Sequence, residues 1–270
     1  MQAILGLILI PLIAWAVSEN RATARSRATV RLVVAAIAVH VALALILLQV
    51  PWLREAVLSL NVVVDALSKA TEAGTAFVFG YLGGGPLPYE AKYAHLVNVL
   101  AFKFLPLMLV ISALSALLFH WRILPAVVTA FSWALKKTLG VRGPLGVGAA
   151  VNVFVGMVEA PLLVRPYLAK MSRGELFALM TVGLATVAGT VMVLYATFIA
   201  KAVPGSLGHI ITASILNVRA VLMVAALMVP FVDDASDEAV KLPRTDQSTM
   251  DALTRGTADG LVLLLNVTAM

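Results

Sequence analysis

An acid and a proline interrupt an apolar run in this chain. Asn152-Val153-Phe154-Val155-Gly156-Met157-Val158-Glu159-Ala160-Pro161 lies inside a stretch, residues 144–166, that is otherwise greasy enough for a bilayer. An ionisable group and a helix breaker at membrane depth survive only where protein or a water-filled cavity satisfies them, so the pattern describes a ligand or ion site. Glu159 is its leading residue; the competing reading is an interfacial glutamate that snorkels or pairs with Arg165. Asn152 stands upstream of it, with Gly148 and Gly156 nearby. There the backbone can unwind and offer carbonyls and an amide oxygen to a hard cation such as sodium. Gly183, Thr186 and Gly189 interrupt a second apolar helix, either to let helices pack closely or to break the helix opposite the first stretch. Lys103 and Arg219 also fall inside apolar runs. Lys103 is near enough to its helix end to snorkel outward, whereas Arg219 is near the middle of its run and needs a partner, either Glu159 or a lipid headgroup. All of this is binding chemistry. No nucleophile elbow, phosphate loop, zinc signature or catalytic carboxylate pair is present, so the chain is read as no enzyme. His40, His95, His120 and His209 lack ligand spacing, which argues against a metal centre.

These groups need membrane-spanning elements to hold them. The composition is 61% hydrophobic and 13% charged, with mean hydropathy +0.98, against about 45–50% and about 25% for soluble chains. The expected class is all-α: a polytopic membrane protein with transmembrane helices, an interfacial helix and one re-entrant helical hairpin. The net charge of +6 is assigned to membrane-facing loops rather than to nucleic acid. The sequence contains no cysteine, hence no disulfide or thiolate site. Apolar runs at 2–18, 31–52, 97–119, 175–200 and 208–231 are read as spans. A sixth starts near Gly256 and stops at Met270, short of the about 20 residues a crossing takes. The first run has no basic region before it and no cleavage site after it, so it is a retained span.

Four blocks follow. Residues 1–52 hold two N-terminal transmembrane helices. Residues 53–96 hold interfacial or external helices, with an apolar stripe at 53, 57, 60, 63, 64 and 67 and Trp52 as aromatic anchor, ended by Gly83-Gly84-Gly85-Pro86-Leu87-Pro88. Residues 97–231 form a core with the hairpin at about 122–170 and a discontinuous fourth span. Residues 232–270 are a cytoplasmic loop and the start of the sixth span. Arg21, Arg25, Arg27 and Arg31 place the 18–31 loop in the cytoplasm and the N-terminus outside. Arg122, Lys136, Lys137 and Arg142 precede the irregular stretch, and Arg165, Lys170 and Arg173 follow it. A hairpin that enters and leaves on one face keeps both clusters inside. Lys241, Arg244 and Arg255 mark the 232–255 loop as cytoplasmic, and the acidic 233–238 run within it is read as solvated.

NVFVGMVEAPLLVRPYL, Asn152 to Leu168, resembles the signature of the concentrative nucleoside transporters, approximately N-I-F-V-G-Q-T-E-A-P-L-L-V-R-P-Y-L. The likeness continues through Met171-Ser172, Glu175-Leu176-Phe177, Met180, GLATVAGTVMVLY (Gly183 to Tyr195) and Ala213-Ser214. Upstream it includes AGTAFVFG (Ala73 to Gly80) and FKFLP (Phe102 to Pro106), so it covers about residues 70 to 270. The resemblance implies a multi-pass, trimeric inner-membrane symporter. It would carry a nucleoside or related small molecule with Na+ or H+, need no cofactor beyond the coupling ion, and bind no nucleic acid. By resemblance, Asn152, Val155, Thr186 and Val187 correspond to the cation site, and Met157, Val158, Glu159 and Val191 to positions around the nucleobase. Departures are specific. Met157 and Val158 replace a Gln-Thr pair, and apolar side chains cannot hydrogen-bond a base edge. Leu145 stands where the pattern has Glu, Arg219 where it has Pro, and Phe231 where it has Glu. The family's second hairpin and ribose-binding residues lie beyond Met270. Two other expectations therefore stand beside symport. One is a non-transporting truncated or degenerate paralogue, or the first half of a split transporter that needs a partner chain. The other is a carrier of an apolar or modified base.

Overall fold

The computed structural model describes residues 2–49, 51–90, 99–157, 159–200, 202–203, 205–231, 240 and 246–269, and all regular structure there is helical. In chain order the helices are α1 (Gln2–Ala16), α2 (Arg21–Ala24), α3 (Arg27–Gln49), α4 (Pro51–Phe79), a 3-10 turn (Gly80–Gly83), α5 (Leu100–Lys103), α6 (Leu107–His120), α7 (Ile123–Leu139), α8 (Gly143–Asn152), α9 (Glu159–Leu163), α10 (Arg165–Leu168), α11 (Arg173–Ala185), α12 (Gly189–Ile199), α13 (Ser206–Met228) and α14 (Thr249–Ala269). Among the described residues, four stretches are long and apolar enough to cross a bilayer: Thr29–Ile46, Leu100–His120, Arg173–Ile199 and Ser206–Met228. The expected first span is a 15-residue helix with Pro11 inside it, about 22 Å long and short of a bilayer core. This is an all-α, polytopic membrane protein.

The chain divides into two compact units. The first comprises Met1–Pro51, Pro125–Ala188 and Ile211–Pro243. Its core gathers Leu135, Leu145, Ala149, Val164, Leu179, Val182, Val218 and Leu222, drawn from α7, α8, α11, α13 and the junction of α9 and α10. α11 opens on a capping box: Ser172 Oγ accepts from Glu175 N–H at 3.2 Å, and Glu175 Oε2 accepts from Ser172 N–H at 2.8 Å. A Cβ on Gly174 would stand 2.7 Å from Phe231 Cβ and 2.9 Å from the Val229 and Pro230 carbonyl oxygens. Only glycine lets the start of α11 lie against the chain leaving α13. Glu19 secures the same corner, donating its N–H to Met228 O at 2.9 Å and pairing with Arg173 at 2.8 Å.

The second unit comprises Trp52–Leu124, Gly189–Ile210 and Arg244–Met270. Here four expectations change. The 53–67 stripe belongs to a 29-residue helix, α4, about 43 Å long. The 97–119 span is broken: α5 ends at Lys103 and α6 restarts at Leu107, because Pro106 has no N–H for the ladder. Lys103 does not snorkel free but meets Glu72 at 3.0 Å. The last helix starts at Thr249, not near Gly256, and places Arg255 within a helix rather than a loop. The start signal is Ser248-x-x-Asp251: Ser248 Oγ accepts from Asp251 N–H at 3.1 Å, and Asp251 Oδ2 accepts from Gln247 N–H at 3.0 Å. Arg255, which also donates to Asp246 Oδ2 at 2.9 Å, is thereby tied to the chain ahead of the helix.

α14 packs along α6 through glycines. A Cβ on Gly260 would lie 2.8 Å from Leu109 Cα, and one on Gly256 2.6 Å from Ala116 Cβ. The two backbones meet too closely for any side chain between them. Gly260→Leu is therefore expected to cost about 1–3 kcal/mol, read as a lower unfolding midpoint. Gly74→Leu, at a site with nothing within 4 Å, should leave the midpoint nearly unchanged.

Candidate functional site

The site lies in the first unit, where two helices end side by side. α8 is largely buried and built mostly from small residues, so neighbours approach closely; a Cβ on Gly148 would be 2.5 Å from Leu179 Cδ1. α8 stops at Asn152. Phe154 N–H and Val155 N–H both donate to Val151 O at 2.9 Å, closing a turn that Gly156 completes with φ +135°, a backbone shape that needs glycine. α9 then starts at Glu159, and the chain doubles back: Ala160 joins Ala150, Val151 and Val128 in one buried cluster, with Val147 and Leu163 packed on it.

α11 ends at Ala185. Thr186 takes extended backbone, φ −106° and ψ 155°, and helix resumes at Gly189 as α12. The helix is broken at Thr186 and resumes at Gly189, while Gly183 serves close packing. The break coincides with the passage of the chain from the first unit to the second. α13 ties its loose backbone groups: Val187 N–H donates to Ser214 Oγ at 3.4 Å, and Asn217 Nδ2 donates to Ala185 O at 3.2 Å. Thr186 Oγ1 donates to Val182 O at 2.9 Å, leaving its oxygen lone pairs open.

Gly183 is the contact point. A Cβ there would stand 3.0 Å from Met157 Cβ and 3.1 Å from Asn152 Nδ2, so the last turn of α11 touches both the end of α8 and the turn beyond it. Asn152 is 0% exposed, and neither its Oδ1 nor its Nδ2 has a hydrogen-bond partner among the described residues. Leaving a buried amide unmatched costs about 1–3 kcal/mol, a cost that a bound ligand would offset. α8 and α11 each direct the negative end of a helix dipole here, equivalent to about half a charge apiece. Neutral oxygens from an amide, carbonyls and the hydroxyls of Thr186 and Ser214, in a negative field, suit a hard monovalent cation.

Of the residues expected at the cation site, Asn152, Val155, Thr186 and Val187 all belong to this unit. Val155 contributes backbone at the turn while its side chain packs on the Val128–Ala160 cluster. Of those expected near the base, Met157 is 56% exposed at the rim. Val158 lies outside the described residues, as does the side chain of Glu159. Val191 belongs to the second unit, where it packs against Leu105, Met108 and Leu194. Asn217 and Ser214 carry no role in the sequence pattern. Their signal is two polar residues three apart on one face of an apolar helix. Arg219, the more conspicuous residue of α13, is 5% exposed. Its described partners are not a carboxylate: one guanidinium nitrogen donates to Ile215 O at 3.0 Å, the group lies 5.5 Å over the Phe131 ring, and Nε is unmatched among the described residues.

Known proteins are similar to this chain in sequence and in fold. The family model described as Na+ dependent nucleoside transporter N-terminus matches residues 5–82, and the one described as Nucleoside recognition matches residues 101–202. An uncharacterized transporter of Haemophilus influenzae is 34% identical over 100% of this chain and 61% of its own length. The nucleoside permease NupC of Helicobacter pylori is 31% identical over 99% of this chain and 61% of its own. The rat sodium/nucleoside cotransporter 2 is 34% identical over 74% of this chain and 28% of its own. Among solved structures, CNTnw in an inward-facing substrate-bound state superposes with TM-score 0.81 at 30% identity, covering 98% of this chain and 60% of that one. A variant of the same protein in an outward-facing state gives 0.85, also at 30%. The chain spans about three-fifths of the length of the curated relatives that match it end to end.

Proposed function

From the chain's membership of the concentrative nucleoside transporter family, whose N-terminal part it covers, we propose that it forms the cation-binding half of a cation-coupled nucleoside symporter in the plasma membrane. The observation that carries this reading is Asn152, a buried amide without a partner among the described residues, set between two helix C-termini. In the proposed mechanism, sodium sits among the Asn152 amide, backbone carbonyls near Val155 and Val187, and the Thr186 hydroxyl. Binding draws the end of α8 and the end of α11 into one arrangement, and that ordering completes the neighbouring nucleoside site at Met157, Val158 and Glu159. The α8–α9 pair is the re-entrant element, with both its basic flanks in the cytoplasm and the N-terminus outside. The working assembly is a homotrimer, and further chain supplies the ribose side. Sodium is preferred over protons because the donors around Asn152 are neutral oxygens, which need no titration to bind.

The test is uptake of labelled uridine by vesicles containing the full-length protein, with and without an inward sodium gradient. Uptake should rise with sodium and fall at least about tenfold in Glu159→Gln, the size expected when one charge-assisted hydrogen bond to substrate is lost. Uptake that is equal with and without sodium at constant pH would remove the coupling claim, and no uptake at all would remove transport.

A further inference from the structure

Far from the cation site in sequence, Arg25, Arg27, Val30, Arg31, Val34, Ala35 and Ala38 line an open groove of about 500 Å³. We propose that this groove is a binding site for an anionic phospholipid, with the phosphate held by the three arginines and an acyl chain laid along α3.

The register of α3 makes the groove two-toned. Arg27 and Arg31 are one helical turn apart, and the same stripe continues through Val34, Ala35 and Ala38, so charge gives way to apolar surface in the direction of the span. From Arg27 to Ala38 the helix rises about 16 Å, a distance comparable to the upper part of an acyl chain. The apolar-enough segment begins at Thr29, which puts Arg25 and Arg27 ahead of the span, Arg31 in its first turn and Val34 deeper. Among the described residues, Arg25, Arg27 and Arg31 have no ion-pair partner. Glu19, the acid that precedes them, is taken by Arg173. Arg25 is held in place differently, its guanidinium 4.8 Å over the Trp15 ring, a stacking that leaves its N–H donors free. The groove also opens at the start of a 23-residue helix capped by Ser26, whose Oγ accepts from Thr29 N–H at 3.2 Å, so the positive end of the helix dipole adds to the same field. A zwitterionic lipid brings its own cation to this field and gains less. An anionic headgroup matches it.

The experiment is native mass spectrometry of the full-length protein extracted with equal amounts of phosphatidylglycerol and phosphatidylcholine. The wild type should retain phosphatidylglycerol preferentially, and Arg31→Gln should lower that preference about fivefold, the value of one arginine near an anionic surface. Arg21→Gln removes the same charge from the same loop outside the groove and should change it little. Equal losses in both variants would mean diffuse attraction and overturn the site. So would equal retention of the two lipids by the wild type. Displacement of the lipid by inorganic phosphate would show an anion site without an acyl-chain component, and would overturn the assignment to lipid.

Discussion

Asn152→Leu is expected to make the protein more stable and to weaken its response to sodium about 100-fold. The two side chains have nearly the same shape, and the wild-type amide sits fully buried with both polar atoms unmatched among the described residues. Exchanging it for an isostere removes a desolvated group and should raise the unfolding free energy by about 1–3 kcal/mol. The same exchange deletes a cation ligand, and apparent sodium affinity should fall about 100-fold, about 2.7 kcal/mol. Thermal unfolding without sodium and sodium-dependent uridine uptake read the two effects separately. A residue kept only for packing would lose stability on substitution, so a destabilised variant that responds to sodium as the wild type does would refute the assignment. Sodium itself should raise the unfolding midpoint of the wild type and move the leucine variant far less.

Arg219→Met should also stabilise. A charge near the centre of a span costs about 2.5–3.5 kcal/mol on insertion scales, and the described compensation is one carbonyl hydrogen bond and one aromatic face. The ring contact returns up to about 2 kcal/mol when desolvated. Methionine keeps the contact with Phe131 through its sulfur without the charge. The expected gain is about 1–2 kcal/mol, and buried charges replaced by well-packed apolar groups behave in this way. A fall in midpoint of that size would mean that the guanidinium satisfies a buried acid, and Arg219 would then be a paired charge rather than a tolerated one.

The residues themselves show why part of this structure was legible beforehand. Glycine and proline punctuation marks the turn after Asn152 and the stop at Gly80, since few conformations accommodate those residues. The break at Thr186 was visible but ambiguous: small residues in an apolar helix serve close packing and unwinding alike, and here Gly183 does the first while α13 holds the second. Ser214 and Asn217 act across sequence separations of 27 and 32 residues, which no local pattern encodes. The Lys103–Glu72 pair was missed for the same reason. The start of α14 was misplaced because its first turns carry Asp251, Arg255 and Asp259, and a search for apolar runs passes over a helix whose opening face is charged. Periodicity was informative about helices and silent about which of them meet.

The glycine seam between α14 and α6 has a consequence for biosynthesis. Gly260 leaves the ribosome about 150 residues after Ser112, the residue it lies against, a delay of roughly 7–30 s at ordinary elongation rates. Throughout that interval the small-residue face of α6 is without its mate, and lipid or the insertion machinery must shield it. A translational pause or an early stop ahead of α14 would thus leave an orphaned helix for quality-control proteases, even though the cation-binding half has already been made.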